Sequence, residues 1–539
     1  MEIFSNQYYE FLDRFVQTKH ENEKVLGKYY TNFNVAVNMI KELLEKEEIL
    51  KISSSLKVID PFCGDGRLIV ILLRELETLG LFYDIDIQIT IWDIDKEAMV
   101  MAKERIEDFA KSIQYKVTVD AMVTDAFVAY IDEENKYDIC VTNPPWGLLK
   151  PLKIFNEICT EGELEQYKNS IALYDDYIKN EFMISQPTSK FGKWGTNLGR
   201  CGLEVALKLI RRSGLCAFVS PASLFNDQIS NQMRKWIFDS YKIYSINHYP
   251  AEAKLYGSAD VSSITAVVEK GLITEDFQIK TFNKDMHKEV YTIDKDILEY
   301  IKRNNYVIPL EIGMSTMPLL MHLEQLPTML EYCKKNNMRF IRELDETRVT
   351  EKLNKTGKIR FAKGYMVNRY LYVADDLYLD EEKMLPPETV YYPKLVWRDV
   401  SRTSQKRRIK ATLLSPNCIA GNSLGAIYSI DNYIDKLKML LAIMNSFVFE
   451  FQARSILVSN HVSAGVIKKV HIPELKIDNE LLNLIDVQLN GGDVDSLIEV
   501  YVAKMYGLSK DQFTDLISIF DLEVEDKTKL FQAIELIDL

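Results

Sequence analysis

The chain has 539 residues, 47% of them hydrophobic and 27% charged, and a formal net charge of −13. At about 100–200 residues per domain this length predicts two or three domains. The ordinary charged fraction and a mean hydropathy of −0.13 make a disordered chain, a collagen-like fibre and a membrane protein poor fits. The acidic balance argues against a uniformly basic surface, but a nucleic-acid cleft needs only a local basic field.

Met1 to Gln7 lacks the basic start and apolar run of a signal peptide, and no stretch of about 18 apolar residues occurs. The seven cysteines are scattered and never spaced C-x-x-C, so a reducing, cytoplasmic compartment is expected without disulfides. The six histidines form no H-E-x-x-H pair, and no metal is expected. Short β-branched runs then alternate with helical-period segments. Leu56–Ile59 predicts a strand, followed by the turn Asp60-Pro61-Phe62-Cys63-Gly64-Asp65-Gly66 and a helix over Arg67–Leu79. Ile87–Trp92 predicts a second strand, followed by a helix carrying Ala98, Met99, Ala102 and Ile106; Val117–Val123 is a third apolar run. Tyr137–Thr142 is a buried strand ended by Asn143-Pro144-Pro145. A helix over Leu203–Arg212 and strands at Leu215–Val219, Ile243–Asn247 and Ile264–Val268 complete a doubly wound α/β domain over residues 1–275. Residues 276–310 are expected to connect it to a second domain, 311–539, which is richer in tyrosine, arginine and lysine.

Glycines in the first turn let the backbone approach a ligand, and an acid at the strand end accepts hydrogen bonds from a cationic or hydroxyl-bearing cofactor. The third glycine of G-x-G-x-x-G is missing, so this is not a pyrophosphate site. Asp93 lies where such folds present an acid to ribose hydroxyls, while Asp95 is placed to cap the next helix. Asp125 would set a carboxylate beside an adenine amino group. In Asn143-Pro144-Pro145-Trp146 two prolines fix the backbone and aim the Pro144 carbonyl, and the asparagine supplies a second acceptor. Two converging acceptors suit a planar NH2 group, and Trp146 offers a face for a base to stack on.

These motifs in this order, preceded by Leu26-Gly27-Lys28-Tyr29-Tyr30-Thr31, resemble the catalytic half of the gamma-class adenine-N6 DNA methyltransferases of restriction-modification systems, the TaqI-methylase type. The resemblance covers roughly residues 26–270. It implies a doubly wound S-adenosylmethionine-dependent methyltransferase fold followed by a mixed α/β target recognition domain, with S-adenosyl-L-methionine as cofactor and double-stranded DNA as partner. By the same resemblance Thr31, Asp60 and the backbone at Phe62, Gly64 and Gly66 hold the methionine end. Asp93 holds the ribose, Ile94 covers the adenine, and Asp125 with Ala126 reads it. Asn143 and Pro144 accept the target amine's hydrogens, Pro145 stiffens them, and Trp146 stacks on a flipped base. Asn32 stands where the family usually has proline after the threonine. Tyr256 is expected to complete the base sandwich from the other side.

Between Tyr391 and Ala420, Lys394, Arg398, Arg402, Lys406, Arg407, Arg408 and Lys410 face one acid, Asp399, a balance of +6 interleaved with Trp397. This stretch is expected to contact DNA phosphates and guanine edges. A second basic stretch runs from Lys352 to Lys363, and a polar turn at Ser459–Ser463 is a further candidate. The expected function is a site-specific adenine methyltransferase, with a cognate restriction endonuclease as a possible partner. N-P-P-aromatic also serves enzymes that methylate protein glutamine or RNA guanine. A noncatalytic DNA specificity subunit is the remaining alternative.

Overall fold

The computed structural model describes residues 30–46, 55–81, 85–152, 155–187, 196–227, 229–256, 261–402, 405–457 and 460–539. The first residues of the opening motif, Leu26 to Tyr29, and Ser459 of the polar turn lie outside them. The chain divides into two compact units, Met1–Leu310 and Glu311–Leu539.

In the first unit α1 (Phe33–Leu44) starts at Asn32, whose side chain accepts the Asn34 N–H at 3.0 Å. Helix capping is therefore what asparagine supplies where the family has proline. Val35, Ala36, Met39, Ile40 and Leu43 fall on its buried face. There follow β1 (Ser55–Asp60), α2 (Arg67–Leu79), β2 (Asp86–Asp93), α3 (Lys96–Lys111), β3 (Lys116–Val123), β4 (Tyr137–Thr142), α4 (Glu161–Glu181), α5 (Leu198–Leu209) and β5 (Ile210–Pro221). α6 (Asn231–Ser240), β6 (Tyr241–Tyr249), β7 (Ser263–Lys270), β8 (Phe277–Phe282), β9 (Lys288–Ile293) and α7 (Lys295–Arg303) close the unit. The strands form one sheet in the order β9-β8-β6-β7-β5-β4-β1-β2-β3. β3, β2, β1, β4 and β5 run parallel, whereas β7 lies antiparallel to both β5 and β6. β4 is buried along its whole length, as expected for a central strand covered on both faces.

Residues 276–310 are not a connector. β8 pairs in parallel with β6, β9 pairs with β8, and Ile279, Ile293 and Ile301 are buried. Helix α5 begins at Leu198 rather than Leu203, with the Asn197 side chain accepting the Arg200 N–H at 3.0 Å, and ends where Ile210 opens β5. Two glycines hid its start. A Cβ at Gly202 would lie 2.8 Å from Pro144 Cβ and 3.1 Å from the Phe62 ring, so glycine is the residue that lets α5 close on the two turns.

In the second unit β10 (Met338–Ile341), β11 (Leu353–Asn354), β12 (Arg360–Ala362), β13 (Tyr378–Leu379), β14 (Lys394–Arg398), β15 (Ala411–Leu414), β16 (Cys418–Ala420) and β17 (Leu424–Ser429) make two four-stranded sheets. Their orders are β10-β17-β14-β15 and β11-β13-β12-β16. Helices α8 (Ile434–Asn445), α9 (Phe447–Ile456), α10 (Asn479–Leu489), α11 (Asp495–Met505), α12 (Lys510–Ser518) and α13 (Val524–Ile537) follow. No helix among the described residues is long and apolar enough to cross a membrane.

Candidate functional site

A cavity of about 540 Å³ opens where the parallel strands of the first unit end, the edge at which doubly wound sheets hold ligands. Thr31, Phe62, Gly64, Asp93, Ile94, Asp125, Ala126, Asn143, Pro145 and Trp146 all line it. Residues separated by more than 100 positions are thus brought to one hollow by the strand order.

The turn after β1 is built for close approach. Gly64 and Gly66 have φ of +51° and +76°, and a Cβ at Gly66 would meet the Ala102 backbone at 3.1 Å, so α2 and α3 pack through it. Asp93 holds the turn: its Oδ2 accepts the Gly64 N–H at 2.8 Å and its Oδ1 the Asp95 N–H at 2.9 Å. Asp95 caps α3 through the Glu97 and Ala98 N–H groups, as expected.

Asp60 lies beneath the wall and not in it. It is fully buried; Oδ1 accepts the Phe62 N–H at 3.1 Å and the Thr142 hydroxyl at 2.8 Å, joining the ends of β1 and β4. Oδ2 is buried and accepts no hydrogen bond from the described residues. Burial, helped by Asp93 and Asp65 nearby and opposed by the Thr142 and Phe62 bonds, pushes its carboxyl up to about 7 from 3.8. The folded chain therefore keeps a proton that the unfolded chain releases above about pH 4. Asp60 contributes stability that is complete below 3.8 and is lost as pH rises through about 7. Thermal melts from pH 4 to 8 should show wild type losing stability relative to Asp60→Asn across that window. Parallel curves would mean that Asp60 ionises normally.

Asp125 is also buried. Its Oδ1 caps the short helix Ala126–Ala129 through the Phe127 N–H at 3.0 Å, and its Oδ2 accepts the Tyr174 hydroxyl at 2.7 Å. Burial raises it to about 6 against those two hydrogen bonds. Tyr174, on α4, is thus a partner of Asp125 that no local motif marked.

On the opposite wall the Asn143 amide nitrogen donates to the Thr31 hydroxyl at 3.1 Å, fixing the plane of the amide. Pro144 is buried against Gly202 and is not among the lining residues, whereas Pro145 and Trp146 are. Tyr256 corrects the expected sandwich. Its ring is 4% exposed and its centroid lies 4.6 Å from that of Trp146 at an interplanar angle of 57°. A base held between two rings needs two stacking gaps, about 7 Å in all. Tyr256 therefore backs Trp146 from the core and does not face it across a slot. The lining residues that sequence reasoning missed include Tyr30, Phe127, Arg200, Ser220, Pro221 and Asp227. Ser220-Pro221 repeats at the end of β5 the strand-then-proline signal of Asn143-Pro144, which could have found it.

Most of the expected DNA contacts of the second unit are structural. Lys394 is fully buried in β14; its ammonium donates to the Cys418 carbonyl at 2.6 Å and pairs with Glu343 at 3.3 Å, and burial lowers its pKa. Trp397 is fully buried and donates to the Val462 carbonyl at 2.8 Å. Arg398 bonds the carbonyls of Gly364 and Val367 at 2.9 and 3.1 Å. Arg407 pairs with Glu450 and Glu499, each at 3.0 Å, and its guanidinium lies 3.9 Å over the Phe447 ring. Arg408 is 5% exposed and its N–H donates to Glu450. Lys406 is exposed but ion-paired with Glu523, and Arg402 is exposed. The sequence run is basic because buried acids elsewhere answer it. Exposed positive charge lies instead at Lys355, Lys358 and Arg360 in the second stretch.

Residues 45–256 match the Eco57I restriction-modification methylase family. No curated protein matches the chain in a sequence search. Among solved structures the fold is similar to that of the type IIL restriction-modification enzyme MmeI, solved in complex with DNA. Identity is 14% over 97% of this chain and 80% of that one, with a TM-score of 0.56. The type IIG restriction endonuclease BpuSI matches at 12% identity over 95% of this chain and 67% of that one, with a TM-score of 0.45. The segment that supplies most of the cavity's lining, residues 45–256, is thus similar to the Eco57I restriction-modification methylases.

Proposed function

We propose that the chain is a site-specific DNA methyltransferase that transfers a methyl group from S-adenosylmethionine to N6 of an adenine flipped out of duplex DNA. The observation that carries this reading is one cavity lined by both motif sets: Gly64, Asp93, Ile94 and Asp125 on one side, Asn143, Pro145 and Trp146 on the other.

The donor side fits S-adenosylmethionine. The left-handed glycine turn lets a ligand lie against the backbone, and Asp60, buried beneath it, braces that turn through the Phe62 N–H. Asp93 is placed for ribose hydroxyls, and Ile94 with Phe127 supplies apolar surface for a purine. When bound, the sulfonium supplies an electrophilic methyl group. The chain's own task is to make the target amine nucleophilic. Adenine N6 has its lone pair delocalised into the ring. Asn143, accepting one of its hydrogens, draws it toward tetrahedral geometry and localises that pair, while Pro144, buried behind the wall, would have to bring its carbonyl into the cavity to accept the other. The Thr31 bond holds Asn143 ready for this, so little reorganisation is left for the reaction. Trp146, held from behind by Tyr256, is the stacking face for the extruded base, whose removal from the duplex costs a few kcal/mol.

The second unit is proposed as the target recognition domain, with phosphate contacts from its exposed cations, Lys355, Lys358, Arg360 and Arg402. A cognate restriction endonuclease is the expected partner. Expression in a host free of DNA methylation, followed by genome-wide mapping of modified bases, tests the reading. N6-methyladenine at one recurring sequence is expected. Its absence, or modification of cytosine instead, would overturn it.

A further inference from the structure

Arg67 opens α2 without an acidic residue in the first turn, where the helix dipole is itself positive. A cation there breaks a local rule, and such exceptions are concentrated where function requires them. Its contacts show the reason. Nε and one terminal nitrogen grip Asp65 at 3.0 and 2.9 Å, a planar fork on a carboxylate that also caps the Arg67 N–H at 3.2 Å. The other terminal nitrogen donates to the Thr31 carbonyl at 3.0 Å, 36 residues back in the chain. The guanidinium also lies 4.6 Å over the Tyr30 ring, and a Cβ at Gly64 would meet that same ring at 3.2 Å. Tyr30, Thr31, Gly64, Asp65 and Arg67 all line the cavity.

We propose that Arg67 is a positioning residue, a latch that ties the Tyr30–Thr31 strap to the glycine turn and so builds the wall against which S-adenosylmethionine binds. The inference rests on reading the cavity as the site of that cofactor. One guanidinium joins three things at once: the carboxylate that caps α2, the backbone of the strap, and an aromatic ring laid over the turn. Thr31 is also the group that orients Asn143, so the latch supports both walls of the cavity. Lysine could not replace it, since a single ammonium has no fork with which to hold Asp65 and reach the Thr31 carbonyl together. Removing Arg67 does not orphan Asp65, because Arg105 stays paired with it at 2.7 Å. The variant is therefore expected to fold.

Two measurements test the latch. In the ligand-free protein, Arg67→Met should speed hydrogen exchange of the amides from Ala36 to Ile40, the first turns of α1, by about tenfold, the loss of one charge-assisted bond to the strap. Arg105→Met, which takes a partner from Asp65 but leaves the Thr31 bond, should leave that exchange at the wild-type rate. In calorimetric titration with S-adenosylmethionine, Arg67→Met and Arg67→Lys should both raise Kd by about tenfold or more. Methyl transfer should show the same rise in KM for the donor, with a smaller change in kcat. Wild-type exchange and Kd in Arg67→Met, or full rescue by lysine, would overturn the latch alone. Failure of the wild-type protein to bind S-adenosylmethionine would overturn the proposed function.

Discussion

Asn143→Ala is expected to lower kcat for methyl transfer by about 10²–10³-fold, the usual effect of removing one group aimed at the developing charge. Affinity for S-adenosylmethionine should stay within about threefold of wild type, because the substitution removes only the bond to the Thr31 hydroxyl and Arg67 still holds Thr31 through its carbonyl. The two effects separate because the Asn143 amide is placed by the Thr31 hydroxyl, while the strap is placed by the Thr31 backbone. Transfer of tritiated methyl to duplex DNA at saturating donor, with Kd from calorimetry on the same preparation, measures both. A variant within tenfold of wild-type kcat would remove Asn143 from the reaction.

The second large effect concerns stability. Arg407→Ala should destabilise the second unit by about 3 kcal/mol, the low end of the cost of breaking a buried pair. Glu450 and Glu499 are buried, and Arg407 bridges them. Each keeps one other cation, Glu450 through Arg454 at 2.9 Å and Glu499 through Arg369 at 3.1 Å, which is why the loss is not larger. Against the burial that raises it, the Glu450 carboxyl is held below its usual range by Arg407 and Arg454 and by the Arg408 N–H. Urea unfolding at neutral pH reads the loss as a lower midpoint with an unchanged slope. A variant as stable as wild type would show that the cluster is solvated and that Arg407 is available to DNA after all.

The contrast between these two residues shows what was legible in the sequence. Strand–turn–helix units of the first unit could be read because period and burial agree. α2 runs over Arg67–Leu79 and β4 over Tyr137–Thr142, as their patterns predict, and β1 and β2 differ from expectation by one residue at each end. The site motifs were legible because each is contiguous and sits at a strand end. What escaped was whatever depends on two distant segments meeting. Nothing near Asp125 announces Tyr174, 49 residues on, and nothing near Trp146 shows that Tyr256 touches it. Charge counting failed between Lys394 and Arg408 for the same reason. A count over neighbours in sequence registers the cations but not Glu343, Glu450 and Glu499, which come from other elements to neutralise them. The glycines at the start of α5 misled in the opposite direction, since they mark close approaches, Gly202 to Pro144 and Gly199 to the Pro145 carbonyl, and not a break in the helix.

The strand order also bears on how the chain is made. β1 lies between β2 and β4, and the Thr142 hydroxyl that bonds Asp60 belongs to a residue 82 positions later. A nascent chain that has emerged only as far as β3 carries the glycine turn but not the strand that completes it, and one edge of β1 stays unpaired until residues 137–142 arrive. β5 then waits for β7, which lies between β5 and β6 although it is made after both. The route open to it is a local hairpin, β6 with β7, docking on β5 as a unit. Sequence-distant pairing of this kind is slow, and exposed edges invite misassociation while it lasts. The first unit is thereby committed to late closure during synthesis, its parallel strands being joined to β6, β8 and β9 only when β7 is in place.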